Sequence, residues 1–192
     1  MRKGEIARKT KETEIQVSLD LDGTGIADIA TGVGFFDHML TALTVHAGFD
    51  LSIRAGGDLD VDGHHTVEDV GIVLGQAFAK SVSDKAGIAR YGTFTIPMDE
   101  SIATVSLDIG GRAYFVFNAD FRTERIGELE TQLIAEFFQA FAFNAAVTLH
   151  INAPYGENDH HKCEAIFKAF AHALAAAVTQ TGGGVLSSKG TL

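Results

Sequence analysis

Asp62-Gly63-His64-His65-Thr66-Val67-Glu68-Asp69-Val70 reads almost as a copy of Asn158-Asp159-His160-His161-Lys162-Cys163-Glu164-Ala165-Ile166. Both stretches carry His-His-x-x-Glu after a short turn-like cluster of acidic or amide residues. Both then run into an apolar pattern at helical spacing. That pattern is Val70, Val73, Leu74, Ala77 and Phe78 in the first, and Ile166, Phe167, Phe170, Ala171 and Leu174 in the second. His64 and His160 are 96 residues apart in a chain of 192. A recurrence at half the chain length reads as an internal duplication. Upstream the match continues with a small shift. Leu51-Ser52-Ile53 matches Leu149-His150-Ile151, and Phe35-Phe36-Asp37-His38-Met39-Leu40 matches Leu133-Ile134-Ala135-Glu136-Phe137-Phe138. The duplication predicts one domain over 1–192, made of two pseudo-repeats at about 1–92 and 93–192.

Working outward, Thr13–Leu21 alternates Ile15, Val17, Leu19 and Leu21 with polar residues, the period-2 signature of a strand with one buried face. Asp22-Gly23 reads as a turn and Gly25–Thr31 as the returning strand. Phe35–His46 reads as a helix stopped by Gly48, Phe49–Arg54 as a strand and His64–Asp84 as a long helix. The second half reads as strands at Tyr91–Ile96, Ile102–Ile109 and Arg112–Asn118, with Gly110-Gly111 as a hairpin turn. A helix at Glu128–Ala146, a strand at Val147–Ile151, a helix at His160–Thr179 and a flexible tail at Thr181–Gly190 follow. Phe137, Phe138, Phe141 and Phe143 read as helix core. The expected class is α+β: two duplicated lobes, each a small mixed or antiparallel sheet covered by helices on one face. No proline-rich linker parts the halves, so they are expected to pack as one body.

Composition narrows the function. Lys and Arg number 15 against 25 Asp and Glu, for a net charge of −10. Nucleic acid is not the expected partner, because phosphate-backbone binding favours a basic surface. The apolar stretches are too short and interrupted for a bilayer, so no membrane partner is expected either. Met1-Arg2-Lys3-Gly4-Glu5 carries no apolar signal core. A single cysteine, Cys163, suits a reducing compartment, and a cytoplasmic enzyme is the expectation.

The chemistry lies in the histidines. Each helical residue turns ~100°, so His64 and Glu68 share a face while the His64 and His65 rings diverge. A lone His-x-x-x-Glu is an ordinary solvated pair. Its duplication points to metal, with adjacent histidines serving different ions. Two such pairs supply four imidazoles and two carboxylates to two metal sites. Neither half can close its own site, so ligands must come from the other lobe or another subunit, which predicts a symmetric homo-oligomer with sites at interfaces. The repeat also aligns His38 with Glu136, both metal-competent. His150 faces Ser52 and His172 faces Gln76, so both read as structural or surface residues. His46 faces Asn144 and stays a candidate substrate contact. Cys163 faces Val67 and reads as core. Imidazole plus carboxylate suits Mn, Fe, Co, Ni or Zn rather than Ca or Mg. Among the few cations, Arg90, Arg112, Lys168 and the stretch Ser187-Ser188-Lys189-Gly190 together suit a phosphate monoester.

Gly32-Val33-Gly34-Phe35-Phe36-Asp37-His38-Met39-Leu40, Asp62 to Asp69, Asp159 to Ala165 with Phe167-Lys168-Ala169, and Ser187-Ser188-Lys189-Gly190 together resemble imidazoleglycerol-phosphate dehydratases over nearly the whole chain. The resemblance implies two duplicated lobes like the second domain of ribosomal protein S5, and 24 subunits with two manganese ions per site at subunit contacts. It implies dehydration of imidazole glycerol phosphate to imidazole acetol phosphate in histidine biosynthesis. Carried over by position, the metal ligands are His38, His64, His65, Glu68, Glu136, His160, His161 and Glu164. Substrate contacts are Glu12, His46, Arg90, Arg112, Lys168, Ser187, Ser188 and Lys189. The chain departs at Glu136, where many members carry His. The proton acceptor is expected to be a carboxylate, with Glu12, Glu68 and Glu164 as the choices. A dinuclear phosphate-ester hydrolase and a metal-storing cage are the competing classes, told apart by release of inorganic phosphate and by metal uptake without dehydration.

Overall fold

A computed structural model describes residues 2–190. Three strands open the chain: β1 (Lys3–Lys9), β2 (Thr13–Asp20) and β3 (Ala27–Ala30). They are followed by α1 (Gly34–Ala47), β4 (Asp50–Gly57) and α2 (His64–Val82). The second half repeats this as β5 (Tyr91–Met98), β6 (Ser101–Asp108), β7 (Tyr114–Ala119), α3 (Gln132–Ala145), β10 (Thr148–Tyr155) and α4 (Asp159–Val178). Between β7 and α3 it inserts a small hairpin, β8 (Arg125–Ile126) and β9 (Leu129–Glu130). Among the described residues this hairpin has no first-half counterpart.

The two four-stranded sheets share one topology, β1-β2-β4-β3 and β5-β6-β10-β7. Their registers also correspond. Lys3 pairs with Asp20 and Tyr91 with Asp108, while Leu19 pairs with Leu51 and Leu107 with Leu149. In β2 the inward set is Ile15, Val17 and Leu19, as the alternation requires. Gly4 and Gly92 lie against equivalent helix turns. A Cβ would stand 2.0 Å from the Ala77 carbonyl oxygen at the first and 1.9 Å from that of Ala173 at the second. Only glycine admits so close an approach.

Two expected hairpins do not form. β3 pairs not with β2 but parallel to β4, and β7 runs parallel to β10. Parallel neighbours need a crossover, and α1 and α3 are those crossovers. Asp22-Gly23 therefore opens a loop, which the Asp50 carboxylate holds by accepting from the Thr24 and Ile26 amides. Gly110-Gly111 likewise leads away from β6. Helix α3 starts at Gln132 rather than Glu128, because residues 125–130 form the inserted hairpin, closed by an Arg125–Glu130 ion pair. Strand β1 lies outside the sequence expectation altogether.

Helix α2 covers β1 and β2, and α4 covers β5 and β6. The lobes are then interlocked through helices: α1 packs on α4 and α3 on α2. Phenylalanines join the four helices, with Phe36 on Phe137, Phe137 on Phe167, Phe138 on Phe170 and Phe78 on Phe141. Phe143, expected in this core, is 57% exposed. Among the described residues no helix is long and apolar enough to cross a membrane.

Candidate metal centre

The packing of α1 on α4 brings His38 to the first turn of α4. His38 Nε2 is 3.6 Å from Glu164 Oε2, and His160 Nε2 is 3.1 Å from the same oxygen. One donor atom from each of the three residues lies within 4.8 Å of the others. Lys168 takes the other oxygen, with Nζ 2.7 Å from Glu164 Oε1. Burial pushes the Glu164 carboxyl up, but the Lys168 ammonium and the two imidazoles outweigh it and hold it below its ordinary value. Two ring nitrogens converging on one carboxylate oxygen fit a cation. Ligand atoms about 2.1 Å from a shared ion stand about 3.0–3.5 Å apart. The Asn158 side chain fixes this turn by accepting from the His160 and His161 amides.

On α2 the pattern is looser. His64 Nε2 is 3.8 Å from Glu68 Oε2. Glu136, the counterpart of His38, lies half-buried on α3, which packs on α2. Among the described residues its carboxylate has no hydrogen-bond or ion-pair partner. The adjacent rings diverge in both copies: His64 and His65 centroids are 6.1 Å apart at 86°, and His160 and His161 centroids 6.1 Å apart at 84°.

Each second histidine faces an acid. His65 Nδ1 is 3.0 Å from Asp58 Oδ2, and His161 Nδ1 is 2.9 Å from Glu100 Oε2. Hydrogen bonding to these carboxylates raises both imidazoles above the ordinary value, and holds Glu100 far below the usual carboxylate range. The sequence reading missed both acids. One signal was available, since Glu12 and Glu100 hold the same place in the two hairpins, β1–β2 and β5–β6. Glu12 is exposed, and its carboxylate has no partner among the described residues. It lies close enough to His65 to help raise that imidazole.

Five of the expected substrate residues meet elsewhere. Arg90, Arg112, Ser187, Ser188 and Lys189 line one cavity of about 430 Å³, with Tyr91, Gly110 and Gly111. Arg90 sits at φ 72, a left-handed conformation that costs a non-glycine residue about 1–3 kcal/mol. Its Nε and Nη2 grip both oxygens of Asp108, and its Nη1 donates to the Leu186 carbonyl at 2.7 Å. The segment expected as a tail is thus tied down, also by Thr181 and Gly184 pairing with Gly87. Lys168 is not in this cavity but on Glu164. His46 lies against His172 (centroids 5.4 Å), which stacks on Phe94 at 4.5 Å. Burial lowers the His46 imidazole, and Lys168 and His172 add to that. His150 is exposed beside Tyr114. Cys163 is fully buried, and burial pushes its thiol well up.

The sequence model described as imidazoleglycerol-phosphate dehydratase matches residues 31–174. The enzyme of that name from Methanosarcina barkeri is 58% identical over 192 residues, covering all of both chains. The crystal structure of imidazoleglycerol-phosphate dehydratase from Staphylococcus aureus aligns with TM-score 0.85 at 45% identity, covering 93% of this chain and 99% of that one. The structure of the Pyrococcus furiosus protein aligns with TM-score 0.85 at 34% identity, covering 97% and 100%. A duplicated fold, its paired His-His-x-x-Glu turns and full-length likeness thus converge: this chain belongs to the imidazoleglycerol-phosphate dehydratase family, hydro-lyases of histidine biosynthesis.

Proposed function

We propose that the protein removes water from imidazole glycerol phosphate to give imidazole acetol phosphate, using two manganese ions per site. The observation that carries the metal dependence is the convergence of His38, His160 and Glu164 on one point. His64, Glu68 and Glu136 would form the counterpart cluster, with His65 and His161 as ligands aimed out of their own clusters. Divalent ions held by these residues would supply Lewis acidity to the substrate's imidazole ring and make its side-chain carbon more acidic.

The chain's own residues supply the rest. Arg112, Lys189 and the Ser187 and Ser188 hydroxyls would hold the phosphate, with Arg90 shaping the cavity from its clamp on Asp108. This turns binding of a remote group into orientation of the reacting carbon. Glu12, Glu68 and Glu164 are the carboxylates available to take the proton. Glu164 is engaged by Lys168 and His160, whereas the Glu12 carboxylate has no partner among the described residues, which favours Glu12. His46, beside Lys168 and His172, would contact the substrate.

Each cluster supplies three ligands at most, and the divergent rings of His65 and His161 point elsewhere. Both features support a homo-oligomer, of 24 subunits as in the resemblance, with sites completed across interfaces in the cytoplasm. The test is an assay for the keto product on metal-free and manganese-loaded protein. Product formation only with metal supports the proposal. Release of inorganic phosphate, or equal turnover without metal, overturns it.

A further inference from the structure

The acids that face His65 and His161 come from different places in the two lobes. Gly57 is the last residue of β4 and Gly156 directly follows β10: a Cβ on the first would meet Thr66 and Thr13, on the second Ser101 and Lys162. From there to the first histidine the chain runs through residues 58–63 in one lobe but only 157–159 in the other. The longer loop carries Asp58 to His65. The shorter one draws its backbone onto the hairpin acid instead, so that Glu100 Oε1 accepts from the Glu157 amide at 3.0 Å and the Asn158 amide at 2.7 Å. Ser101 Oγ donates to the same oxygen at 2.9 Å. Glu100 Oε2 is left for His161 Nδ1.

We propose that Glu100 is a positioning residue that fixes His161 as the tautomer protonated on Nδ1, so that the Nε2 lone pair, 3.7 Å from the exposed Asp99 carboxylate, is left for a cation. A carboxylate only accepts, so the proton between Glu100 and His161 belongs to the ring. Asp58 acts on His65 in the same way. The role in metal binding rests on the reading of His161 as a ligand, since a ligating imidazole keeps its second N–H on such a partner.

The isosteric variant Glu100→Gln separates positioning from mere loop anchoring. Three donors hold the Oε1 position, so the amide oxygen must stay there. The amide nitrogen then takes the Oε2 position and donates to Nδ1. His161 is forced to carry its proton on Nε2, which blocks the outward lone pair. Glu100→Ala removes the preference without reversing it. If Glu100 only anchored the loop, Gln, which keeps the backbone contacts, would be milder than Ala. Positioning demands the opposite order.

The experiment uses the metal-free, full-length protein labelled with 15N-histidine, above the imidazole titration, with His161 assigned by difference from His161→Gln. Solid-state 15N spectra should give a bare Nε2 in the unmodified protein and a bare Nδ1 in Glu100→Gln. Manganese titration should then show one binding phase weakened about 10–100-fold, more in Gln than in Ala. An unchanged tautomer in Glu100→Gln, or a milder loss in Gln than in Ala, overturns the positioning role. A reversed tautomer with unaltered manganese binding supports Glu100 as the group that sets the ring and removes His161 from the ligand set.

Discussion

Glu12 and Glu100 stand at the same position of two equivalent hairpin turns, yet only Glu100 is bonded to a histidine. Asp58 takes over that work in the first lobe, which leaves the Glu12 carboxylate exposed. This difference leaves one of the two acids without a side-chain partner among the described residues, and it is the one proposed to take the proton. Glu12→Gln should therefore lower kcat by about 10²–10⁴-fold, the usual size of a general acid–base contribution, with manganese content unchanged. Glu164→Gln should lose both turnover and metal, because Glu164 Oε2 lies where two imidazoles converge. Metal analysis beside steady-state kinetics separates the two. Loss of metal from Glu12→Gln would remove it as the proton acceptor.

The half-buried His46 beside Lys168 gives a pH dependence. Burial, Lys168 and His172 all disfavour the charged form of His46, so its imidazole titrates below the ordinary 6.5 in the folded protein. Unfolding restores the ordinary value. As pH falls below 6.5 the unfolded chain therefore takes up this proton first. The stability contributed by neutral His46 is full above 6.5 and is lost downward from there towards the folded value. His46→Gln should flatten the denaturant-midpoint profile in that window and leave it unchanged above. A profile as steep in the variant as in the parent would contradict this.

The cavity between Arg90 and Lys189 predicts how affinity divides from chemistry. Arg112 is exposed and has no side-chain partner among the described residues, unlike Arg90, whose guanidinium is committed to Asp108 and Leu186. Arg112→Ala should cost one charge-assisted hydrogen bond to phosphate, about 1.5–3 kcal/mol, read as a KM roughly 10–150-fold higher. Thermal stability should stay within error. Arg90→Ala should lower stability as well, because it strands Asp108. An Arg112→Ala enzyme with unaltered KM would put the phosphate elsewhere.

The duplication was legible because both copies carry His-His-x-x-Glu at the start of a helix, while the strands match with other offsets. From the repeat one could read the lobes, the helices and the residues of the His38 cluster. The parallel strands β3 and β7 were not legible. Asp22-Gly23 and Gly110-Gly111 look locally like hairpin turns, and only the helix that follows each next strand marks a crossover. Glu100 was missed for a related reason: its partner is 61 positions away and is met only when the short 157–159 loop folds back. The cavity residues are legible as cations and hydroxyls and through the family resemblance, but the clamp of Arg90 on Asp108 and the Leu186 carbonyl, which ties the last segment to that cavity, is not.

Gly4 and Gly92 extend the duplication argument to stability. At each, the strand lies against a helix carbonyl so closely that a methyl group overlaps it, at 2.0 Å from Ala77 and 1.9 Å from Ala173. The atom met is backbone, which cannot swing away as a side chain would. Gly4→Ala and Gly92→Ala must therefore push a sheet off its helix, at about 1–3 kcal/mol each. Gly56→Ala meets nothing within 4 Å and should change stability by no more than about 0.5 kcal/mol. Guanidinium unfolding of the three variants checks this. Because α4 also bears His160 and Glu164 while α2 bears His64 and Glu68, Gly92→Ala should disturb metal binding at the first cluster and Gly4→Ala at the second. Equal stability in Gly92→Ala and Gly56→Ala would mean that the sheet and helix are not in the contact described.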